Sequence, residues 1–424
     1  MSKKKIIQIT IFLVAVAFFS YALWWMFWRK PPAERMVNVN GELVPVSKLP
    51  QIGEGPSGVI TNVNSGLPDN QGTAVNQPTQ PSAPTAVEPE KQLDIIARGD
   101  LTKTNLVVAN RIKGAFLSPQ GNAINFYNPV DNKFYRLGPD GKAVPLADKE
   151  FFNVEAVSWS PDGNKAVLEY PDGSNILYDF NAKRQVTLPR QMTEFDFDKG
   201  GDRIAFKWES TLENDDWLGV SSPDGSNLKF VEPLGENGRR VQVNWSPNGQ
   251  IVATYRKSAG INSEEVFFLG LNGENFRLLE IKGAGFKGKW LEDGKHLLYN
   301  SYFDENGSRP NLWITRADPG NIGLNNNSLN LQTWVDKCTT QGTIAYCAVP
   351  ESLPEGAGYV PEVADNIPDL IYKVDLTTGA KTLIARPRGD RDNYTAEKLM
   401  VSPDGKWLYF VDKQSGRLYS IQLK

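Results

Sequence analysis

The stretch Trp159-Ser160-Pro161-Asp162-Gly163 recurs along the chain and decides its fold. Close and degenerate copies of this motif end at Gly121, Gly163, Gly201, Gly249, Gly294, Gly342 and Gly405. The spacings between successive motif glycines are 42, 38, 48, 45, 48 and 63 residues. A period of about forty residues that tolerates insertions is typical of the blades of a β-propeller.

Each copy has the chemistry of a tight connection between two antiparallel strands. Pro161 presets φ at the first central position, Asp162 bonds its own backbone, and Gly163 adopts positive φ without steric cost. The residues four before and three after each motif glycine are apolar. We therefore predict a hairpin at every motif, with Cys338 opposite Ala345 in the sixth.

A third apolar strand follows each hairpin, and a second turn and a fourth strand follow in six of the seven units. The third strands are predicted at residues 134–137, 176–178, 217–220, 266–269, 312–314, 370–374 and 418–421. No sustained helical periodicity interrupts this pattern. The sequence predicts an all-β, seven-bladed propeller of four-stranded blades over residues 104–424.

The seventh unit shows no fourth strand after residues 418–421. A ring of blades must close, because an open end leaves exposed strand edges. We expect a strand from before the first unit to complete the seventh blade. Residues 106–109 are the first choice and residues 93–97 the second.

An uncharged segment of 23 residues, from Ile6 to Trp28, follows three lysines. It is long enough for a transmembrane helix, which needs about 20 residues, and its aromatic end suits a membrane interface. A cleaved signal peptide is the alternative, although its apolar region is shorter, roughly 7–15 residues. We expect a cytoplasmic stub at 1–5, a retained single-pass anchor at 6–28, and an extracytoplasmic remainder, because so short a stub is a poor candidate for export.

Residues 29–103 are rich in Pro, Asn, Gln and Ser and lack the apolar periodicity needed to bury a core. Such chain stays extended and mobile, so we expect a flexible linker. Within it, residues 36–46 are compatible with a hairpin. Disorder is the favoured state there, because an isolated hairpin is barely stable in water.

The motif units resemble the WSPDG-type, WD-repeat-like β-propeller repeats of TolB-like proteins, over nearly all of residues 106–424. The resemblance implies an envelope location and protein binding. TolB itself is a soluble periplasmic protein with an α/β domain before a six-bladed propeller. This chain departs from that pattern, because it has a predicted anchor and linker in place of the α/β domain and seven units rather than six.

The sequence offers few catalytic candidates. The single histidine, His296, lies in a predicted strand, and one histidine without a nucleophile elbow makes no hydrolase triad. The pair Asp215-Asp216 and residues 304–307 match no calcium-loop spacing. We therefore expect no enzyme, no cofactor and no metal.

The expected function is a protein-binding or scaffolding module at the cell envelope. The alternative is a carbohydrate-active or other hydrolytic enzyme with its site at the mouth of the propeller channel. Clustered unpaired carboxylates in that mouth favour the enzyme, whereas aromatic or mixed polar loops favour the binding module.

The charge pattern bears on the partner. The formal net charge is −3, and the basic clusters at Arg239-Arg240 and residues 386–391 are short. We expect no nucleic-acid partner. A protein or a cell-wall polymer at the propeller loops is the expected partner, in addition to the membrane at residues 6–28.

Cys338 and Cys347 are the two cysteines of the chain. On the predicted register Cys347 is the diagonal neighbour of Cys338, so strand twist or a bulge must bring their Cβ atoms within bonding distance. An oxidising exterior and an even count favour a disulfide, which suits a unit whose motif has lost Trp and Pro. Two small buried thiols are the alternative.

Overall fold

The computed structural model describes residues 36–39, 42–45, 93–121, 123–211, 215–274 and 276–424. The chain divides into two units, Met1–Thr85 and Ala86–Lys424. In the first unit, strands β1 (Met36–Val39) and β2 (Glu42–Pro45) pair in antiparallel fashion. These two strands lie where the sequence is compatible with a hairpin.

The predicted membrane segment from Ile6 to Trp28 lies outside the described residues, as does most of the predicted linker. Among the helices that are described, none combines the length and the hydropathy needed to cross a membrane.

The described part of the second unit is built from β-strands. It also contains short 3₁₀ helices at Gly235–Arg240, Asp304–Asn306, Val335–Lys337 and Pro361–Ala364. Strand β3 (Leu101–Val108) precedes the first motif. Blade 1 comprises β4 (Lys113–Leu117), β5 (Ile124–Asn128), β6 (Lys133–Leu137) and β7 (Ala143–Pro145); blade 2 comprises β8 (Ala156–Trp159), β9 (Lys165–Glu169), β10 (Asn175–Asp179) and β11 (Arg184–Leu188). Blade 3 comprises β12 (Met192–Phe197), β13 (Ile204–Trp208), β14 (Trp217–Ser221) and β15 (Lys229–Pro233); blade 4 comprises β16 (Val241–Val243), β17 (Ile251–Gly260), β18 (Ser263–Gly270) and β19 (Leu279–Lys282).

The remaining blades follow the same order. Blade 5 comprises β20 (Ala284–Trp290), β21 (His296–Tyr302), β22 (Pro310–Arg316) and β23 (Asn327–Ser328); blade 6 comprises β24 (Cys338–Gln341), β25 (Ile344–Pro350), β26 (Asp369–Asp375) and β27 (Lys381–Arg388). Blade 7 contributes β28 (Ala396–Val401), β29 (Trp407–Asp412) and β30 (Leu418–Gln422). All predicted third strands lie within the third strand of their blade.

Strand β3 completes blade 7, as predicted. It pairs antiparallel with β30, with Leu106 opposite Tyr419. It also pairs in parallel with β27, with Leu101 opposite Arg386. Blades 6 and 7 thus form one eight-stranded sheet, whereas blades 1 to 5 are separate four-stranded sheets.

Residues 93–97, the second choice for closure, also contact the last blade. The backbone N–H of Ala97 donates to the carbonyl of Gln422 at 2.9 Å, and Asp94 bridges to Thr102 in parallel. The ordered contacts of the propeller therefore begin before residue 104, where the sequence placed the domain boundary.

Among the described residues, seven apolar clusters form the core between the blades, one for each pair of adjacent blades. The cluster between blades 7 and 1 joins Ile112 and Phe126 to Met400 and Leu418. Because the last blade packs on the first, the second unit is a closed β-propeller of seven four-stranded groups.

Six of the seven motifs form the predicted turn, in which the glycine N–H donates to the carbonyl three residues earlier, at 2.7–3.0 Å. The sixth motif does not. There Gln341 pairs with Ile344, so Cys338 lies opposite Cys347 rather than Ala345. The predicted register was wrong because this motif has neither Pro nor Asp, and its β-branched Thr339 and Thr340 continue the strand instead.

Candidate functional site

The propeller has two faces of different character. Along each blade the connections from first to second strand and from third to fourth strand lie on one face, which we call the motif face. The connections from second to third strand, and from each blade to the next, lie on the opposite loop face. Direct contacts between motif turns confirm this arrangement, because Gln341 donates to the carbonyls of Ser402 and Pro403 at 2.9 and 2.7 Å.

The motif tryptophans join neighbouring blades. The indole N–H of Trp159 donates to the carbonyl of Gly114 in blade 1 at 2.7 Å. That of Trp290 donates to Asn244 in blade 4 at 3.1 Å. The motif residue that the sequence reveals most clearly is thus structural rather than functional.

On the loop face, three segments form a continuous surface, which we call the loop ridge: residues 260–263, 303–309 and 351–364. Asn262 donates to Glu305 at 2.9 Å. The N–H groups of Gly356 and Gly358 donate to the carbonyls of Gly307 and Ser308. The ridge therefore crosses blades 4, 5 and 6 as one bonded surface.

The loop ridge exposes large apolar side chains. Ile261, at the tip of the long β17–β18 hairpin, is 98% exposed, and Tyr359, Val360 and Val363 are 60%, 49% and 42% exposed. Beneath them Trp334, Leu353, Ala357 and Ala364 form a small buried cluster. Apolar groups on a surface that is itself well packed are typical of interaction sites.

A cavity of about 1990 Å³ runs through the ring and opens beside the loop ridge. Its walls come from the first strands of blades 1 and 3 to 7, from second-strand and loop residues beside them, and from Glu155, just before β8. We call it the channel. It contains eleven cationic side chains: Arg111, Lys113, Lys207, Arg239, Arg240, Arg256, Lys287, Lys289, Lys337, Lys398 and Lys413. It contains seven acidic side chains: Glu155, Glu194, Asp196, Glu292, Asp336, Asp365 and Glu397.

The channel is thus cationic in a chain whose formal net charge is −3. Four of its carboxylates already have an ion-pair or hydrogen-bond partner. Glu194, Asp336 and Asp365 pair with Lys207, Lys287 and Lys413, each at 2.6 Å. Asp196 accepts the backbone N–H of Trp245 at 2.6 Å.

The remaining three carboxylates, on Glu155, Glu292 and Glu397, belong to blades 2, 5 and 7. Nowhere in the described chain do three or more His, Cys, Asp or Glu side chains form a group that could hold a metal ion.

The channel changes the ionisation of several groups. Burial raises the pKa of Asp196 to about 6, against the hydrogen bond from Trp245, which lowers it. Burial also lowers the pKa of Lys289 to about 8, with a contribution from the nearby charge of Lys398. Both side chains retain access to the water of the channel. Perturbed ionisable groups in a cleft mark it as a candidate site.

The first strands of blades 1, 3 and 7 share a β-bulge three residues before the first motif residue. The bulged residues are Gly114, Glu194 and Lys398, with φ of 59°, 54° and 50°. Glycine adopts this backbone freely, whereas glutamate and lysine are strained there. Blade 5 has a bulge two residues earlier, at Gly285.

Of the residues that the sequence singled out, Cys338 and Cys347 form a disulfide, with both side chains fully buried. His296 is partly exposed and lies away from the channel. Its Nδ1 is 2.6 Å from Oδ2 of Asp293. Asp215 and Asp216 bond Trp217 and the backbone of Ser210. These acids hold loops, so their role is structural.

The two basic clusters lie in different parts of the propeller. Arg239 and Arg240 line the channel, whereas Arg386 and Arg388 pair with Glu351 and Asp392 on the surface. Sequence reasoning missed Lys289 and Lys398, because they lie on strands of different blades and form no motif. Each has a charged residue close by in its own strand, Lys287 in β20 and Glu397 in β28, which is the pattern of an ordinary solvated strand.

No protein-family model matches this chain, and no curated protein sequence matches it. Solved β-propellers are similar in fold. The β-propeller domain of Cps50 (Swd1) from Myceliophteria thermophila has 11% identity and a TM-score of 0.49, over 76% of this chain and 100% of that one. Oligogalacturonate lyase from Vibrio parahaemolyticus has 12% identity and a TM-score of 0.46, over 76% and 93%.

Hydrazine synthase from Kuenenia stuttgartiensis has 16% identity and a TM-score of 0.45, over 76% of this chain and 97% of that one. These similarities are too distant to bear on function. We rest the assignment to the class of β-propellers on the strand pairing and on the seven interblade clusters.

Proposed function

We propose that this protein is a TolB-like propeller, anchored in the membrane through residues 6–28, that binds a partner protein at the cell envelope. The loop ridge is the proposed docking surface. The observation that supports it best is the exposure of Ile261, Tyr359 and Val360 on loops that are bonded to one another across three blades. A rigid apolar surface loses little conformational entropy when a partner binds.

The charge next to the ridge suggests the character of the partner. Arg239, Arg240 and Arg256 lie at the channel mouth, and within the described residues none of the three has an ion-pair partner. A partner with an apolar centre and an acidic rim complements this surface.

Hydrolysis in the channel is the second candidate. The raised pKa of Asp196 favours it, because a carboxyl group that is partly protonated near neutral pH suits general acid catalysis. The occupied carboxylates and the lone Glu155, Glu292 and Glu397 favour binding instead.

Crosslinking in native membranes tests the docking surface. We expect the wild-type chain to copurify with a crosslinked partner, and the double variant Ile261→Asp/Val360→Asp to lose it. The matched control is Leu324→Asp, because Leu324 is 43% exposed in the β22–β23 connection of the motif face. The ridge is not the interface if the double variant retains the partner as well as the control does.

Protease added to intact cells tests the proposed topology. We expect cleavage in residues 29–92 and release of the propeller, because the linker is outside the membrane in this proposal. A linker protected until lysis would reverse the orientation, and a soluble chain lacking its first ~30 residues would support the signal-peptide alternative.

A further inference from the structure

Lys398 has a left-handed backbone conformation that is unfavourable for any residue with a Cβ atom. At the equivalent bulge, blade 1 has Gly114, whereas blade 7 has a lysine with φ of 50°. A side chain larger than glycine persists at such a position only when its surroundings hold it there, and such sites cluster at functional centres.

The bulge in blade 3 shows what normally accompanies a charged side chain at this position. Glu194 pairs with the buried Lys207 at 2.6 Å. Lys398 differs, because its ammonium group has no hydrogen bond or ion pair to any residue that the structure describes. Its ammonium group is therefore available to a ligand in the channel.

A second ammonium group faces the same space. Lys289 donates to the carbonyl of Cys338 at 2.8 Å and forms no ion pair with another described side chain. It lies close enough to Lys398 for the two positive charges to lower the pKa of Lys289, after burial, which is the larger cause. Two like charges held together in a cavity create a site for an anion.

Three acidic groups lie around Lys398, but none of them forms an ion pair with it among the described residues. Asp196, Asp336 and Glu397 are near enough for their charges to oppose the lowering of the Lys398 pKa that burial causes. Asp336 is already neutralised by Lys287, and Asp196 accepts the backbone N–H of Trp245. Asp196 and Glu397 therefore remain to balance Lys289 and Lys398, and the excess of positive charge belongs to the channel as a whole, with eleven cationic and seven acidic side chains.

We propose that Lys289 and Lys398 bind a small oxyanion, a carboxylate- or phosphate-bearing ligand, between blades 5 and 7 inside the channel. The oxyanion accepts hydrogen bonds from both ammonium groups and compensates their charge. The cationic mouth, with Arg239, Arg240 and Arg256, raises the local concentration of anions at the entrance.

Calorimetric titration of the full-length chain in detergent, at low ionic strength, tests this site. Phosphate, pyrophosphate and citrate are the probes. We expect saturable binding of at least one of them, weakened at least tenfold in Lys398→Gly and in Lys289→Met. Tighter binding of citrate indicates a carboxylate ligand, and tighter binding of pyrophosphate indicates a phosphate ligand.

The variant Lys398→Gly separates binding from folding. Glycine accepts the backbone of the bulge, so we expect its melting temperature to equal or exceed that of the wild type. Lys406→Met is the control, because Lys406 lies on the exposed turn of blade 7 outside the channel. The proposal is overturned if no probe binds saturably, or if both channel variants bind as the wild type does. Neither result depends on the loop ridge, so this site and the docking surface fail independently.

Discussion

The two faces of the propeller are built on different principles. On the motif face, neighbouring turns touch one another: a Cβ on Gly121 would lie 1.9 Å from Cδ of Pro403, and Asn248 donates to the carbonyl of Gly294 at 2.9 Å. On the loop face the connections differ in length and sequence from blade to blade, and Ile261 there is the most exposed large apolar side chain of the described residues.

The difference teaches where this fold tolerates change. The motif face holds the blades in register, so its residues repeat. The loop face is free of that constraint, so single residues there are available for binding. Substitutions on the motif face should therefore reduce stability, whereas those on the ridge or in the channel should reduce binding.

Opening the ring tests whether closure by β3 holds the propeller together. Deletion of residues 104–110 removes most of β3 and leaves the edges of β30 and β27 unpaired. We expect a loss of at least ~5 kcal/mol in the free energy of unfolding, and aggregation. Deletion of residues 70–76 in the predicted linker is the control. Equal melting temperatures for the two deletions would contradict closure by β3.

The variant Gly121→Ala tests the contact between motif turns. Alanine at φ of 66° is strained, and its Cβ would overlap Pro403 of blade 7. We expect a loss of about 3–4 kcal/mol in denaturant unfolding. Gly249→Ala is the matched control, because φ there is 79° but no atom lies within 4 Å of the added Cβ. If both variants lose the same stability, turn contacts do not hold the motif face together.

The disulfide compensates for the one motif turn that departs from the pattern. The double variant Cys338→Ala/Cys347→Ala should lose about 2–3 kcal/mol of the free energy of unfolding, which is the stabilisation expected from a disulfide that closes so short a loop. A reducing agent should lower the melting temperature of the wild type towards that of the variant and leave the variant unchanged. Two freely alkylated thiols in unreduced protein from the cell surface would show that the bridge does not form there.

Asp196 links the channel to the motif face through its bond to Trp245. Its folded pKa, about 6, lies above the ordinary value of 3.8, so the folded state holds this proton more tightly than the unfolded state. Its stabilising contribution is therefore present below pH 4 and is lost as the pH rises through 6. In the wild type we expect the free energy of unfolding to decline by on the order of 1 kcal/mol across this range, and in Asp196→Asn we expect this decline to disappear. A variant with the same pH dependence as the wild type would mean that Asp196 titrates normally.

The sequence alone determined the propeller, the number of its blades, and the strand that closes it. These features depend on local chemistry: Pro161, Asp162 and Gly163 close a turn wherever they occur, and a missing fourth strand after residues 418–421 requires a substitute. It also identified Cys338 and Cys347 as partners, although it misplaced their register. Two β-branched threonines outweighed the turn pattern there, a balance that depends on the neighbouring strand.

Only the tertiary structure decided which residues meet in the channel and on the loop ridge. Lys289 and Lys398 lie on strands of different blades, and Ile261 and Tyr359 lie on different loops. No local pattern relates the members of either pair. The closed ring brings such distant residues together, because every first strand faces the same axis.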